Sequence, residues 1–118
     1  MPGWTVRTQE GVSIISLDGA FANYDQVKSL WETLVSLLSS GHKQFVLDLS
    51  GISFMNSTSL GGLVSAYTKV RAAGGKLVLT GMNKGGVRDL LEITKLRTVF
   101  DVFDSESEAV AALQSGAA

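Results

Sequence analysis

The chain has 118 residues, with ten lysines and arginines, eleven aspartates and glutamates, and a formal net charge of −1. Hydrophobic residues make up 45% of it and charged residues 18%, which is typical of a folded domain and excludes a disordered chain. The basic residues are scattered, so we expect no nucleic-acid binding. No apolar run approaches the roughly 20 residues that span a bilayer, so we expect no membrane insertion. The length predicts a single domain, residues 1–118, with a core from about 4 to 113.

The chain contains no cysteine, which excludes a disulfide framework and a thiolate zinc site. Its first residues, MPGWTVRTQEG, have neither the charged region nor the apolar region of a secretory signal peptide. We therefore expect a cytoplasmic protein.

The pattern predicts that the chain opens with two short antiparallel strands. Trp4–Thr8 alternates polar and apolar residues, and Val12–Leu17 is rich in valine, isoleucine and leucine. Gln9–Gly11 between them is typical of a hairpin turn. Asp18–Asn23, which follows the second strand, is predicted to be a loop.

A helix is expected from about Tyr24 to Ser39. Asn23 is its predicted N-cap, and Gln26 stands three residues later, in the position that completes a capping box. One face of this helix is apolar, formed by Val27, Leu30, Trp31, Leu34, Leu37 and Leu38.

The centre of the chain predicts a strand, a loop and a helix. Phe45–Leu49 is apolar except for one aspartate, as in a strand that is buried on both faces. Ser50–Asn56 is expected to be a loop. A helix then begins within Asn56–Ser59, stops at Gly74–Gly75, and has an apolar face formed by Leu60, Leu63, Val64, Tyr67 and Val70.

The remaining residues continue the alternation of strands and helices. Lys76–Thr80 is predicted as a buried strand, Lys84–Thr94 as a helix capped by Asn83, and Val99–Phe103 as a last extended segment. A final helix, Glu106–Gln114, follows the capping-box sequence Ser105–Glu108. The fold class is therefore α/β: a single small domain with a mixed sheet, an opening antiparallel hairpin and alternating helices.

No set of residues typical of catalysis stands out. We expect Asp48 to accept hydrogen bonds from the segment that follows it, because a buried carboxylate needs partners. Gly81–Gly86 has glycines but lacks the spacing of a phosphate-binding loop, and the single histidine, His42, has no visible partner. We expect no enzyme activity, no metal and no cofactor; a nucleotide, if bound, would lie at Asp18–Asn23.

Four small polar residues, Asn56–Ser59, stand at the start of the central helix. Such residues are good helix caps, and a helix start also favours a phosphate because its N–H groups are unpaired. The pattern therefore fits either a capping cluster or a hydroxyl presented for phosphorylation.

The segment DLSGISFMNSTSLGGL resembles the signature of the STAS domain, the anti-sigma-factor antagonist family of bacterial transcription regulators. The matching positions are Asp48, Leu49, Ser50, Phe54, Met55, Ser57, Thr58, Leu60 and Gly61. In that family the serine at this helix start takes a phosphate from an anti-sigma factor with serine kinase activity.

The resemblance implies that Ser57 is the phosphoacceptor, with Thr58 as the second choice. It also implies an anti-sigma factor with serine kinase activity as the partner, together with a PP2C-type phosphatase. The expected partner-binding residues are Asn23, Asn56, Ser57, Thr58, Ser59 and Leu60.

Two positions depart from the family signature, in which Asn56 is an aspartate and Ser59 a glycine. They keep a second hypothesis open, a STAS module that is never phosphorylated. Such a module would act as a docking or assembly subunit, for example the soluble component of a lipid-transport ABC system.

Overall fold

A mixed sheet in the spatial order β1-β2-β3-β4-β5 organises the fold. The computed structural model describes residues 3–81, 89, 95 and 100–116. Its strands are β1 (Gly3–Gln9), β2 (Val12–Phe21), β3 (Gln44–Met55), β4 (Lys76–Thr80) and β5 (Val102–Phe103). Its helices are α1 (Tyr24–Ser39), α2 (Ser57–Ala72) and α3 (Glu106–Ser115). Strands β1 and β2 are antiparallel and the other neighbours are parallel, which confirms the predicted α/β fold class.

The opening hairpin turns at the predicted place. Gln9 pairs with Val12, and the two residues between them have positive φ angles, 52° at Glu10 and 82° at Gly11. Positive φ at both central residues is what a type I′ turn requires, and this turn matches the twist of the flanking strands.

The central strand β3 contributes side chains to two separate cores. On one face of the sheet, Phe45 and Leu47 pack among residues of α1 and α2. On the other face, Val46 packs with Val78 and with residues of α3. Phe45–Leu49 is therefore buried on both faces between two parallel neighbours, as its apolar run predicts.

The prediction of loops at Asp18–Asn23 and Ser50–Asn56 is wrong for most of both segments. Strand β2 continues to Phe21 and β3 to Met55, and these extensions pair with each other. The segments contain glycine and serine and do not alternate, so they look like loops in the sequence. In the fold each extension has a partner strand for its backbone hydrogen bonds.

Two bulges in β3 explain why these extensions do not alternate. In each place β3 has one residue more than β2, first between the pairs Ser16–Asp48 and Asp18–Gly51, then between Gly19–Ile52 and Ala20–Phe54. An extra residue on one strand bends it and resets which face its side chains meet. As a result the residues of β3 that reach the core recur at every third position, at Leu49, Ile52 and Met55.

The bounds of the helices agree closely with the predictions. Helix α1 has the predicted limits, α2 begins directly after Asn56, and α3 extends one residue beyond the predicted end. Ser105 caps α3 by accepting a hydrogen bond from the Glu108 N–H. The predicted helix Lys84–Thr94 and its cap Asn83 lie outside the described residues.

Candidate functional site

The start of α2 is held by a reciprocal capping box. Asn56 is the N-cap, and its Oδ1 accepts a hydrogen bond from the Ser59 N–H at 3.1 Å. In return Ser59 Oγ accepts from the Asn56 N–H at 3.0 Å. Ser59 is fully buried, so its hydroxyl serves the helix cap and does not reach the surface.

Ser57 and Thr58 are the hydroxyl-bearing residues of this turn that remain exposed. They are the first two residues of α2, where the backbone N–H groups have no preceding turn to bond to and the helix dipole is positive. The first turn of α2 contains no acidic residue. A phosphate on either hydroxyl would therefore meet a favourable local field and no neighbouring carboxylate within its own turn.

A second helix start lies against the first. Asn56 Nδ2 donates a hydrogen bond to the carbonyl of Ala22 at 3.0 Å, directly before the N-cap of α1. That cap is also a capping box, in which the Gln26 N–H donates to Asn23 Oδ1 at 2.9 Å and the Asn23 N–H donates to Gln26 Oε1 at 3.2 Å. The predicted pairing of Asn23 and Gln26 is confirmed. The two boxes and the bond between them form one polar corner.

Two large apolar side chains next to this corner face solvent. Tyr24, the first residue of α1, is 61% exposed, and Phe54, close to the end of β3, is 51% exposed. Sequence reasoning missed both as candidate contact residues. In a regular strand Phe54 would lie on the same buried face as Ile52, and only the second bulge turns it outward. No signal in the sequence marks Tyr24 as a contact residue.

The six predicted partner-binding residues therefore divide into three groups. Asn23, Ser57 and Thr58 are exposed, and Asn56 is half-buried in the polar corner. Ser59 and Leu60 are buried, Leu60 with 4% of its surface exposed. The exposed residues can touch a partner directly, whereas the buried pair can only hold the helix start in place.

Asp48 takes part in a separate cluster at the α3 side of the sheet. Its Oδ1 accepts a hydrogen bond from the Ser50 N–H at 2.9 Å, as expected for a carboxylate that bonds the following segment. Burial raises its pKa, but hydrogen bonds from Glu106 and Ser50 and the nearby Arg7 charge outweigh this, so its pKa lies below the ordinary value. The hydrogen bond with Asp48 raises the pKa of Glu106, whose carboxylate also pairs with Arg7. The pKa values of the two carboxyl groups are thus shifted in opposite directions, and Glu106 is the one that keeps its proton to higher pH.

The described residues offer little that is typical of an enzyme. His42 Nδ1 lies 3.3 Å from Ser13 Oγ, but Ser13 is fully buried and out of reach of a substrate. Within residues 3–81, 89, 95 and 100–116, no three His, Cys, Asp or Glu side chains converge as a metal site requires. In the same part of the chain, no helix is both long enough and apolar enough to cross a membrane.

Comparison with known proteins assigns the family. A family model described as the STAS domain matches residues 3–109. The chain belongs to the STAS domain family. An anti-sigma F factor antagonist from Paenibacillus polymyxa is 26% identical to it over 106 residues, which cover 88% of each chain.

Solved structures of similar proteins show the same fold. An anti-sigma factor antagonist from Mycobacterium paratuberculosis superposes with a TM-score of 0.78 at 23% identity, over 97% of this chain and 95% of the other. The Bacillus cell fate determinant SpoIIAA, in its phosphorylated form, superposes with a TM-score of 0.70 at 16% identity, over 92% and 97%.

The structure explains the two residues of this chain that depart from the STAS signature. The signature has aspartate and glycine where this chain has Asn56 and Ser59, and these two residues form the capping box with each other. Glycine has no side chain to return the hydrogen bond, and aspartate has no N–H to donate to Ala22. Each departure therefore supplies a bond that the signature residue cannot make: Ser59 accepts from the Asn56 N–H, and Asn56 Nδ2 donates to the Ala22 carbonyl.

Proposed function

We propose that this STAS domain is an anti-sigma factor antagonist, and that phosphorylation of Ser57 controls its binding to an anti-sigma factor with serine kinase activity. The observation that carries this proposal is the exposed Ser57 hydroxyl at the first position of α2. Relatives named as anti-sigma factor antagonists, and a solved relative in a phosphorylated form, support the same role.

Burial separates the three candidate hydroxyls. Ser59 cannot enter a kinase active site without unfolding the first turn of α2, because it is buried and bonded to Asn56. Ser57 and Thr58 are both exposed, and the resemblance to the family signature aligns Ser57 with the family acceptor. Ser57 is thus the first choice and Thr58 the second.

The physical basis of the switch is a change of charge on a neutral, partly apolar patch. Unmodified, the patch presents two hydroxyls beside Tyr24 and Phe54, and an apolar partner surface can cover it. A phosphate adds about −1.5 to −2 charges and three acceptor oxygens. Covering those charges costs desolvation free energy, and any acidic group of the partner repels them, so the complex dissociates. A PP2C-type phosphatase would restore the binding form.

The experiment compares wild type with Ser57→Ala, Ser57→Asp and Thr58→Ala in binding to a candidate kinase-type anti-sigma factor, with and without ATP. Wild type and Thr58→Ala should gain about 80 Da, the mass of one phosphate, and release the partner. Ser57→Ala should bind as well as wild type and resist release by ATP. Ser57→Asp should bind more weakly. Tight binding by Ser57→Asp, with no gain of mass in wild type, would contradict the switch.

A second candidate function is a docking or assembly subunit that is never phosphorylated. The observation that favours it is a pair of hydrogen bonds at this helix start, from the Asn56 N–H to Ser59 Oγ and from Asn56 Nδ2 to the Ala22 carbonyl. Together they account for both departures from the signature without any phosphate chemistry. Asn56→Asp restores the carboxylate of the signature and separates the candidates. Under the switch, this variant is phosphorylated at least as fast as wild type; under the docking function, neither protein is phosphorylated by any kinase-type anti-sigma factor.

A further inference from the structure

The outer surface of α1 and the adjacent edge of α2 form a groove that shares Tyr24, but neither Ser57 nor Thr58, with the patch of the proposed switch. It has a volume of about 490 Å³, and its lining includes Tyr24, Trp31, Val35, Lys28, Glu32 and Lys69. A second hollow of about 480 Å³ shares Val35 and Lys69 with it and continues towards the end of α1. From Tyr24 to Val35 the groove follows α1 for about 16 Å, or three helical turns.

The floor of the groove is aromatic and held in place by the fold. Trp31 Nε1 donates a hydrogen bond to the Gly62 carbonyl at 3.1 Å, which fixes the indole against α2. Tyr24 meets this indole edge to face, with ring centroids 6.2 Å apart and an angle of 86°. A partner that packs on the indole does not have to immobilise it first. Tryptophan and tyrosine are also enriched among the residues that dominate binding energy.

The rim of the groove is basic, although the chain as a whole is slightly acidic. Lys28 and Lys69 line it beside a single acidic residue, Glu32. Lys69 Nζ lies 5.4 Å from the centre of the Trp31 ring. Neither lysine forms an ion pair with a carboxylate of the described residues. With two positive charges and one negative charge around an apolar floor, the groove is electrostatically complementary to an acidic occupant.

We propose that this groove binds an amphipathic helical segment of a partner protein. Its apolar side chains, spaced at three and four residues, would lie on Tyr24, Trp31 and Val35. Its carboxylates would meet Lys28 and Lys69. This binding is additional to the Ser57 switch and needs no phosphate.

Two other occupants fit the groove less well. In a symmetric dimer built on this surface, the four lysines of the two rims would face only two glutamates, and the uncompensated positive charge in the interface is unfavourable. A small ligand would stay largely in water, because Tyr24 and Val35 are 61% and 49% exposed, whereas ligand sites bury most of their ligand.

The test uses two synthetic helical peptides of about 15 residues. Both carry leucine and phenylalanine at helical spacing; one carries glutamate at the flanking positions and the other lysine. Binding to the whole chain is followed by backbone and side-chain NMR shifts, and by the fluorescence of Trp31 in a Trp4→Phe background. The experiment contains neither kinase nor ATP, so its result is independent of the switch at Ser57.

The expected result is that shifts with the glutamate peptide concentrate on the groove, and that the lysine peptide binds at least about tenfold more weakly. Lys28→Glu and Lys69→Glu should each weaken the glutamate peptide severalfold. The matched control is Arg71→Glu, which makes the same charge change on α2 and removes a comparable contact with the Tyr67 ring at 5.8 Å, away from the groove lining.

Three results would overturn the proposal. The first is no binding of the glutamate peptide, or shifts outside the groove. The second is equal weakening by Arg71→Glu and Lys69→Glu, which would mean that only net charge matters. The third is self-association of the chain that Lys28→Glu and Lys69→Glu alter, which would make a second copy the occupant.

Discussion

Two neighbouring glycines of α2, Gly61 and Gly62, should respond in opposite ways to the same substitution. A Cβ at Gly61 meets nothing within 4 Å, so Gly61→Ala only replaces a poor helix former by the best one. A Cβ at Gly62 would lie 2.6 Å and 2.7 Å from the two methyl carbons of Val27 on α1. Those distances are well inside van der Waals contact, so the helices must move apart or Val27 must leave its rotamer.

The magnitudes follow from these contacts. Helix propensity predicts that Gly61→Ala stabilises the protein by up to about 1 kcal/mol. At Gly62 the same gain is opposed by overpacking, which costs about 1–3 kcal/mol, and by strain on the Trp31 bond to the Gly62 carbonyl, worth about 1 kcal/mol. Gly62→Ala should therefore destabilise by about 1–3 kcal/mol, so the two variants should differ by about 2–4 kcal/mol.

Urea unfolding followed by tryptophan fluorescence measures this difference. With a slope of about 1–3 kcal/mol/M, the midpoints of the two variants should differ by about 0.7 M or more. Adding Val27→Ala removes the two methyl groups and should make Gly62→Ala less harmful than it is alone, with a coupling of about 0.5–3 kcal/mol. Equal stabilisation by both alanines, or additive effects of Val27→Ala and Gly62→Ala, would refute the close packing of α1 on α2.

Three further substitutions test the polar groups of the fold. Glu106 has a raised pKa, so its protonated form contributes stability that is present below the ordinary pKa of 4.5 and is lost as the pH rises through the folded pKa. Glu106→Gln can donate to Asp48 at every pH, so its stability relative to wild type should increase as the pH rises above 4.5. A difference that does not change with pH would contradict a hydrogen bond from the protonated Glu106 carboxyl group to Asp48. Asn56→Asp loses the donor to the Ala22 carbonyl and should lower the free energy of unfolding, measured by urea titration, by about 1–2 kcal/mol. An unchanged midpoint would mean that this bond contributes nothing to stability. The Thr80 hydroxyl is buried and finds no hydrogen-bond partner among the described residues. Thr80→Val should therefore raise the thermal midpoint, by an amount that corresponds to about 1 kcal/mol. A lower midpoint would show that the hydroxyl has a partner.

The Asn56→Asp variant separates stability from signalling. The substitution restores the family carboxylate beside Ser57 but removes the bond that joins the two helix starts. If the proposed switch operates, a gain in phosphorylation can therefore accompany a loss of stability. Measuring the rate of phosphorylation and the free energy of unfolding on this one variant shows which of the two Asn56 serves: the stability of the polar corner or the prevention of phosphorylation.

Local interactions made much of the fold predictable from the sequence. The caps of α1 and α2 involve residues three positions apart, such as Asn23 with Gln26, so the helix starts can be recognised without any knowledge of the fold. The hairpin turn and the doubly buried run Phe45–Leu49 are also local patterns. The family signature is also a local pattern, and it predicts that Ser57 stands at a helix start.

What only the tertiary structure decided depends on residues far apart in the chain. The bulges of β3 exist because β2 pairs with it, and they turn Phe54 outward. Gly61 and Gly62 look alike in the sequence and differ only because Val27 packs against one of them. The bond from Asn56 to Ala22 spans 34 positions, and no local pattern predicts it. Such contacts are set by which strands and helices become neighbours, so the surface around Ser57 could not be derived from its own segment.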